Sequence, residues 1–520
     1  MARRAATGTA VAAALAAVFI GIRYGTYTAG DSDPYGYVSE ADLIAHGSLR
    51  VEQQFARTMA WPLAEWTFAP LGYRPAPERG FIVPTYPAGL PIGMAVFERV
   101  AGRNGVFYLV PLLGALAILA TWRLGAAIYG DAAGAASAVL LATSPTFLLQ
   151  LIQPVSDVPA AAWWALSLAL AVHGAPGSTV AAFASGLAAS AAILTRPNLV
   201  PLAAVMLVFL VSGREMRRLA SFVGGVVPGC IAVAMINSHL YGSALRSGYA
   251  QLHTLYAWSN AGPNLDRYPR WFVSSETPFM CLAAVAAWLG ARNRAAVKLL
   301  LAFAAVVFVS YLFYIPFGRD DVAYVRFLLP AYPALLVLSV GAAIELATRA
   351  GVRRAALTAG GVCAIVALVH VRTASTRQVL AFRDLESRYV DVGRYVAQAM
   401  PQNALFVSGL HCGSIRYYSG RLTLRYDLLQ PGWLDEAIRT LRSRGYHPYI
   451  ALEEGEEPDF RQQFDRFSEL ARLDWPPAAE RREPVRVRIY DPADRARFLA
   501  GEGIVTGDVR LVAKPRITTR

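Results

Sequence analysis

The run Val106-Phe-Tyr-Leu-Val-Pro-Leu-Leu-Gly-Ala-Leu-Ala-Ile-Leu-Ala-Thr-Trp-Arg-Leu-Gly-Ala126 carries one charged side chain, Arg123. A helix of about 20 such residues crosses the hydrocarbon core of a bilayer. Runs of the same kind recur from Ala5 to Val371, near residues 5–24, 106–126, 132–151, 156–173, 179–195, 198–212, 219–238, 276–291, 297–316, 327–346 and 354–371. The pattern predicts a polytopic α-helical membrane protein of about eleven spans. Composition agrees: of 520 residues 55% are hydrophobic and only 16% charged, with a mean hydropathy of +0.38. Soluble chains carry roughly 25% charged residues, so this balance excludes a disordered chain and argues against a water-soluble globule.

The net charge of +13, from 49 Lys and Arg against 36 Asp and Glu, would suggest a nucleic-acid partner in a soluble protein, but its placement points elsewhere. Arg3 and Arg4; Arg214, Arg217 and Arg218; Arg292, Arg294 and Lys298; and Arg349, Arg353 and Arg354 all fall on one side if the spans alternate. Positive-inside bias makes that side the cytoplasm. The first apolar run is then a retained span rather than a cleaved signal, the N-terminus is cytoplasmic, and everything after Val371 is outside a bacterial-type inner membrane. Two long segments, 25–104 and 239–275, also face outward and are the expected working surfaces. The first carries Trp61, Trp66, Tyr73 and Tyr86 among prolines, which reads as short helices lying in the headgroup region.

These features divide the chain at 371/372, into a membrane domain whose outer loop 25–104 carries the active site and an extracytoplasmic domain over 372–520. In the latter, helical patterns near 385–400, 434–444 and 460–470 alternate with strand patterns at 404–408, 422–426, 449–452 and 485–490. That alternation predicts a small α/β domain. It has no GxGxxG, P-loop or HExxH. The cysteines, Cys230, Cys281, Cys363 and Cys412, are widely separated and form no CxxC site.

Candidate chemistry lies at the outer ends of spans. Asp31 and Asp33, in Gly30-Asp-Ser-Asp-Pro-Tyr-Gly-Tyr37, follow the first span immediately, where a carboxylate can meet lipid-borne and water-borne molecules alike. Asp33-Pro34 also fits a helix N-cap followed by proline at the first helical position. Asp157, in Gln153-Pro-Val-Ser-Asp-Val-Pro159, is an acid at a membrane boundary and a functional candidate by default; capping of a helix over 158–173 competes. Arg196 and Arg326 oppose the positive-inside trend and are placed to hold an anion through the guanidinium fork, with snorkelling to headgroups as the alternative. Arg267 and Arg270 are weaker candidates in a polar loop.

With these residues in place, residues 1–350 resemble the GT-C superfamily of polyprenyl-phosphate-sugar glycosyltransferases, including protein O-mannosyltransferases and lipid A aminoarabinose transferases. The likeness rests on Asp33, Tyr37, Ala41 and Gly47 in the family's spacing, on Pro84-Thr-Tyr-Pro-Ala-Gly-Leu-Pro91, on Ser156-Asp157-Val-Pro, and on Arg326-Phe-Leu-Leu-Pro-Ala-Tyr-Pro333. Ser32 and Pro34 stand beside Asp33 where several families have an Asp-Glu pair, so Asp31 or Glu40 is left to supply a second carboxylate. The resemblance implies an inverting transfer to an acceptor hydroxyl with Asp33 as general base and Asp157 and Asp31 as further catalytic acids. It implies substrate contacts at Tyr37, Tyr86, Arg196, Arg267 and Arg326. The implied donor is a polyprenyl-phosphate sugar and the acceptor a glycan, lipid or protein; no cofactor or metal ligand set is expected, and divalent-metal dependence is left open. A secondary transporter would place its charges near the bilayer midplane and show repeated halves, and neither pattern occurs. A non-enzymatic envelope-polymer-binding protein leaves the acids and arginines without a role.

Overall fold

The computed structural model describes residues 2–173, 178–213, 216–249, 252–289, 293–315 and 321–510; Arg214 and Arg292 of the orientation argument lie outside them. The chain divides into two compact units, one of Met1–Gly25, Pro87–His239 and Ser243–Ala381, the other of Thr26–Tyr86, Leu240–Gly242 and Phe382–Arg520. The boundary at 371/372 thus falls inside a continuous helix, Ala355–Thr376. Most of the segment 25–104 clusters with the C-terminal residues.

The first unit is helical. Among the described residues six helices are individually long and apolar enough to cross a membrane, and a bent pair makes a seventh. The chain is therefore an integral membrane protein. The apolar runs at 156–173, 179–195 and 198–212 form shorter helices, Asp157–His173, Thr179–Thr195 and Pro201–Ser212. The run expected at 276–291 is instead broken at Thr277, φ +70°, and continues as a 3-10 segment, Pro278–Val285.

Proline also shapes the ends that carry polar side chains. Asp131–Thr143 and Pro145–Leu151 are bent by 62°. Pro145 lacks the amide the first helix would need, and Ser144 Oγ accepts from Phe147 N at 3.1 Å to start the second. Thr179–Thr195 ends at Arg196, extended at φ −144° and ψ 86°, as a residue preceding proline is pushed to be.

The second unit holds two sheets. Strands β1 (Val51–Glu52), β2 (Tyr73–Pro75) and β3 (Phe81–Pro84) form an antiparallel sheet in the order β1-β3-β2. Six further strands, β4 (Ala404–Ser408), β5 (Leu422–Arg425), β6 (His447–Glu453), β7 (Ala479–Arg481), β8 (Val487–Tyr490) and β9 (Gly507–Asp508), run in the order β5-β4-β6-β8-β7-β9. β4 pairs parallel with β5 and β6, and β8 is antiparallel to β6 and β7. The expected alternation of helices and strands is present, with the additional helix Cys412–Ser419 and the additional strands β7 and β9.

One hydrophobic core joins Met59, Trp61 and Phe68 of the first loop to Leu405, Leu424, Ile450 and Phe464. This corrects the expectation of interfacial aromatic helices. Trp61 is buried, its indole N–H donating to Thr67 Oγ1 at 3.0 Å, and Tyr73 lies buried in β2. Burying a large aromatic side chain contributes about 2–3 kcal/mol, a gain that holds the rings in this core. Trp66 remains exposed.

Candidate active site

The sequence-predicted residues fall into two groups, one in each unit. In the second unit a helix spans Asp33–Ala45, with Ser32 at its N-cap position, Pro34 in its first turn and no side-chain cap. Asp33 is therefore not the cap its spacing suggested. Its Oδ1 accepts from the Tyr86 hydroxyl at 2.5 Å, and Ser32 Oγ lies 2.7 Å from the same hydroxyl. Tyr86 and Tyr37 are both buried, with ring centroids 4.8 Å apart. Tyr86 can reach Asp33 because position 36 is glycine, where a β-carbon would stand 2.3 Å from the Tyr86 ring. The contact fixes the orientation of the Asp33 carboxylate.

Asp31 sits two residues earlier at φ +52°, a left-handed conformation that costs a non-glycine residue of order 1 kcal/mol and that Asp tolerates better than most. Burial, and then the charge of Asp33, push its carboxyl up to about 6, with Arg388 opposing. Glu40 is fully buried, and burial raises its carboxyl well above the usual range. Neither side-chain oxygen of Glu40 finds a hydrogen-bond partner among the described residues, so it reads as a neutral carboxylic acid.

In the first unit Asp157 opens the Asp157–His173 helix, 1% exposed. Its Oδ1 accepts from Arg196 Nη2 at 2.6 Å, and its Oδ2 lies 3.9 Å from Arg326 Nη1. Arg196 also donates from Nε to Ser156 Oγ at 3.1 Å and from Nη1 to the Tyr311 hydroxyl at 3.4 Å. Asn198 Nδ2 donates to that hydroxyl at 3.0 Å. The Phe327 ring stacks on Tyr311, centroids 5.2 Å apart and 8° from parallel, and lies 5.6 Å from the Arg196 guanidinium and 5.4 Å from that of Arg326. Two guanidiniums thus share one carboxylate and one aromatic ring, and Asp157 orients cations. Guanidiniums held in this way can pair with the oxygens of a carboxylate or a phosphate.

Arg267 lies half-buried on the Ala261–Glu276 helix, and Arg270 pairs with Asp266 at 2.6 Å on an exposed turn. Sequence reasoning missed Tyr311, Asn198 and Phe327. Only the neighbourhood of Asn198 to Arg196 and of Phe327 to Arg326 pointed to the last two. It also missed a buried group in the second unit formed by Glu386, Arg388, Tyr389, His411 and Glu453. Among the described residues no three His, Cys, Asp or Glu side chains come together as metal ligands.

Residues 84–241 match the family described as dolichyl-phosphate-mannose-protein mannosyltransferase. No curated protein matches the sequence. Among solved structures, the chain resembles ArnT from Cupriavidus metallidurans in its apo state, with a TM-score of 0.59 and 14% identity over 94% of this chain and 98% of that one. The same protein bound to undecaprenyl phosphate gives a TM-score of 0.57 at 14% identity, over 88% and 95% of the two chains. The oligosaccharyltransferase AglB from Archaeoglobus fulgidus, in complex with an inhibitory peptide and a dolichol-phosphate, gives 0.53 at 11% identity, over 93% and 74%. Across most of its length, then, the chain has the fold of ArnT and AglB, and within 84–241 it carries the sequence pattern of the dolichyl-phosphate-mannose-protein mannosyltransferase family.

Proposed function

We propose that the protein is a membrane glycosyltransferase that moves a sugar from a polyprenyl-phosphate donor to an extracytoplasmic acceptor hydroxyl with inversion. Asp33 takes the proton of the acceptor hydroxyl as its oxygen bonds to the anomeric carbon. The bond from that carbon to the phosphate oxygen breaks, and its electron pair leaves with the polyprenyl phosphate. Arg196 and Arg326 meet the developing phosphate charge, and Asp157 acts through the guanidiniums it orients. Tyr86 orients Asp33, Tyr37 lines the same helix face, Asp31 adds a second carboxyl, and Arg267 is a further substrate contact. The soluble part of the chain lies outside the membrane and contributes to acceptor choice.

The observation that carries this reading is the chain-long likeness to ArnT, a protein also solved with undecaprenyl phosphate, together with a carboxylate at Asp33 oriented by Tyr86. The deciding experiment incubates the purified full chain with radiolabelled polyprenyl-phosphate mannose, arabinofuranose and aminoarabinose and a membrane extract, with and without EDTA, and identifies the labelled product. Transfer from a nucleotide sugar with no lipid intermediate would overturn the donor assignment. For topology, a cysteine replacing Gln462 should react with an impermeant reagent in intact cells while one replacing Arg217 does not; the opposite result inverts the orientation.

A further inference from the structure

The β5-β4-β6 part of the C-terminal sheet has the strand order of a doubly wound domain. The chain leaves β4 towards β5 on one side, while β6 is flanked on the other side by β8. The carboxyl ends of β4 and β6 therefore border a switch-point crevice, the place where open parallel sheets receive their ligands. Gly409 to His411 follow β4 at this crevice, and Glu453 ends β6.

The crevice is filled by the chain's own residues. Arg388, on the Phe382–Ala399 helix, donates from Nε to Glu453 Oε1 at 2.6 Å, from Nη1 to Glu386 Oε1 at 2.9 Å and from Nη2 to the Tyr389 hydroxyl at 3.0 Å. His411 Nε2 lies 3.1 Å from Glu453 Oε1, and its ring is 4.7 Å from that of Tyr389. Glu456 closes the floor, Oε1 accepting from Leu410 N at 2.9 Å and Oε2 from Glu453 N at 3.0 Å. Tyr389 is fully buried, and its ring lies on the α-carbon of Gly30, where a β-carbon would stand 2.1 Å from Cδ2.

The same stretch of backbone is gripped on both sides of Gly30. Ala29 N donates to the Tyr418 hydroxyl at 2.8 Å, and the Arg383 guanidinium lies 5.3 Å from the Tyr27 ring centroid. The charges of Arg388 and Glu453 act on the Asp31 carboxyl. Tyr27, Ala29 and Gly30 are thus each met by a side chain of the C-terminal segment, and Asp33 follows three residues after Gly30.

We infer that the C-terminal domain is part of the catalytic apparatus: its switch-point crevice holds the Tyr27–Asp31 backbone, with Tyr389 and Arg388 as positioning residues for Asp33. This rests on the reading of Asp33 as the base. The crevice that a free-standing domain would offer to a soluble ligand is occupied by the loop that bears the acid, so the domain acts on the reaction by fixing that loop. Glu386 and Glu453 serve by holding the Arg388 fork in one plane.

The test uses the full chain in detergent, with the polyprenyl-phosphate sugar that gives transfer in the panel above, and hydrogen exchange of the peptide spanning 26–33 as a readout independent of turnover. Arg388→Met and Gly30→Ala should each lower kcat by roughly 10- to 100-fold, the scale of a misplacement of about 1 Å, with the donor KM within about twofold. Exchange of the 26–33 amides should rise at the same time. Arg388→Lys should recover part of the rate, and Tyr389→Leu combined with Gly30→Ala should recover more than Gly30→Ala alone by making room for the new methyl. Wild-type kcat and unchanged 26–33 exchange in Arg388→Met, or a change confined to KM, would overturn the inference. Asp33→Asn is run in parallel: if it keeps its turnover, the reading of the base fails, whereas an inactive Asp33→Asn beside a fully active Arg388→Met sinks the positioning role alone.

Discussion

Asp33 and Asp157 are both carboxylates at the first residue of a helix, each with a proline in the first turn, yet they have opposite partners. Asp157 is 1% exposed and bonded to a guanidinium at 2.6 Å, with a second guanidinium 3.9 Å away. Asp33 is half-buried and accepts from a phenol at 2.5 Å. Protonating an acid paired with a guanidinium forfeits an ion pair, whereas a carboxylate held by a neutral phenol gives up none, which fits the basicity proposed for Asp33. Local sequence makes the two look alike, and their partners tell them apart: one acid pairs with a guanidinium and the other is held by a phenol.

The largest expected effect comes from removing that basicity. Asp33→Asn keeps the shape and should lower turnover by roughly two to four orders of magnitude, the usual contribution of a general base, with little change in thermal stability. Single-turnover transfer beside a melting curve checks both halves, and near-normal turnover in the folded variant would erase the contrast.

Asp157→Asn should do the reverse and act first on stability. It leaves two guanidiniums around a neutral amide, and breaking a buried pair costs about 3–5 kcal/mol. Denaturation in detergent should show the loss, and adding Arg196→Met should recover part of it, since the two side chains are directly coupled. An Asp157→Asn protein as stable as the parent but without transfer would give Asp157 a direct chemical role instead.

Tyr86→Phe sharpens the comparison from the other side. Losing the phenol's charge-assisted hydrogen bond, a contact worth about 1.5–3 kcal/mol, should reduce turnover about tenfold while the ring continues to pack on Gly36. A rate unchanged from the parent would mean that the contact does not persist in the reacting enzyme.

The smallest effect is a pH dependence of stability. Asp31 has a folded-state value of about 6 against 3.8 unexposed to the fold, and Glu386 about 7 against 4.5. Burial is the main cause in both. The folded state therefore binds these protons more tightly, so their stabilisation is full below about 4 and is lost as pH rises through 6 to 7. Glu453 runs the other way: His411 and Arg388 overcome the effect of burial and hold it at about 2, and its stabilisation is lost only in acid below about 4.5. Melting temperature should fall by a few degrees between pH 4 and pH 7, and Asp31→Asn should flatten that slope. An unchanged slope would show that Asp31 titrates as an exposed acid.

What could be read from the sequence follows from constraints that act within one helix or one turn. Apolar runs such as 106–126 have to be helices in a bilayer, because lipid offers nothing to unpaired backbone groups; other apolar runs form shorter or bent helices, as at Pro145. The C-terminal strands were legible by alternation, and Asp33, Asp157, Arg196 and Arg326 stood out as charges at apolar boundaries.

Partnership was not legible in that way. Trp61 and Tyr73 have the composition of interfacial anchors, and only the tertiary structure shows Trp61 buried in a core with the C-terminal sheet and Tyr73 buried in a separate cluster with Tyr35, Ala69 and Ile82. Asp157 meets Arg196 across 39 positions, Arg388 meets Glu453 across 65, and Ala29 meets Tyr418 across 389. The sequence alone determined that this chain is a membrane protein with acids and arginines at the ends of its apolar helices, because hydrophobicity and proline act locally. Only the tertiary structure decided which acid pairs with a guanidinium, which is held by a phenol and what grips the backbone ahead of Asp33, because a carboxylate's partners come from distant parts of the chain.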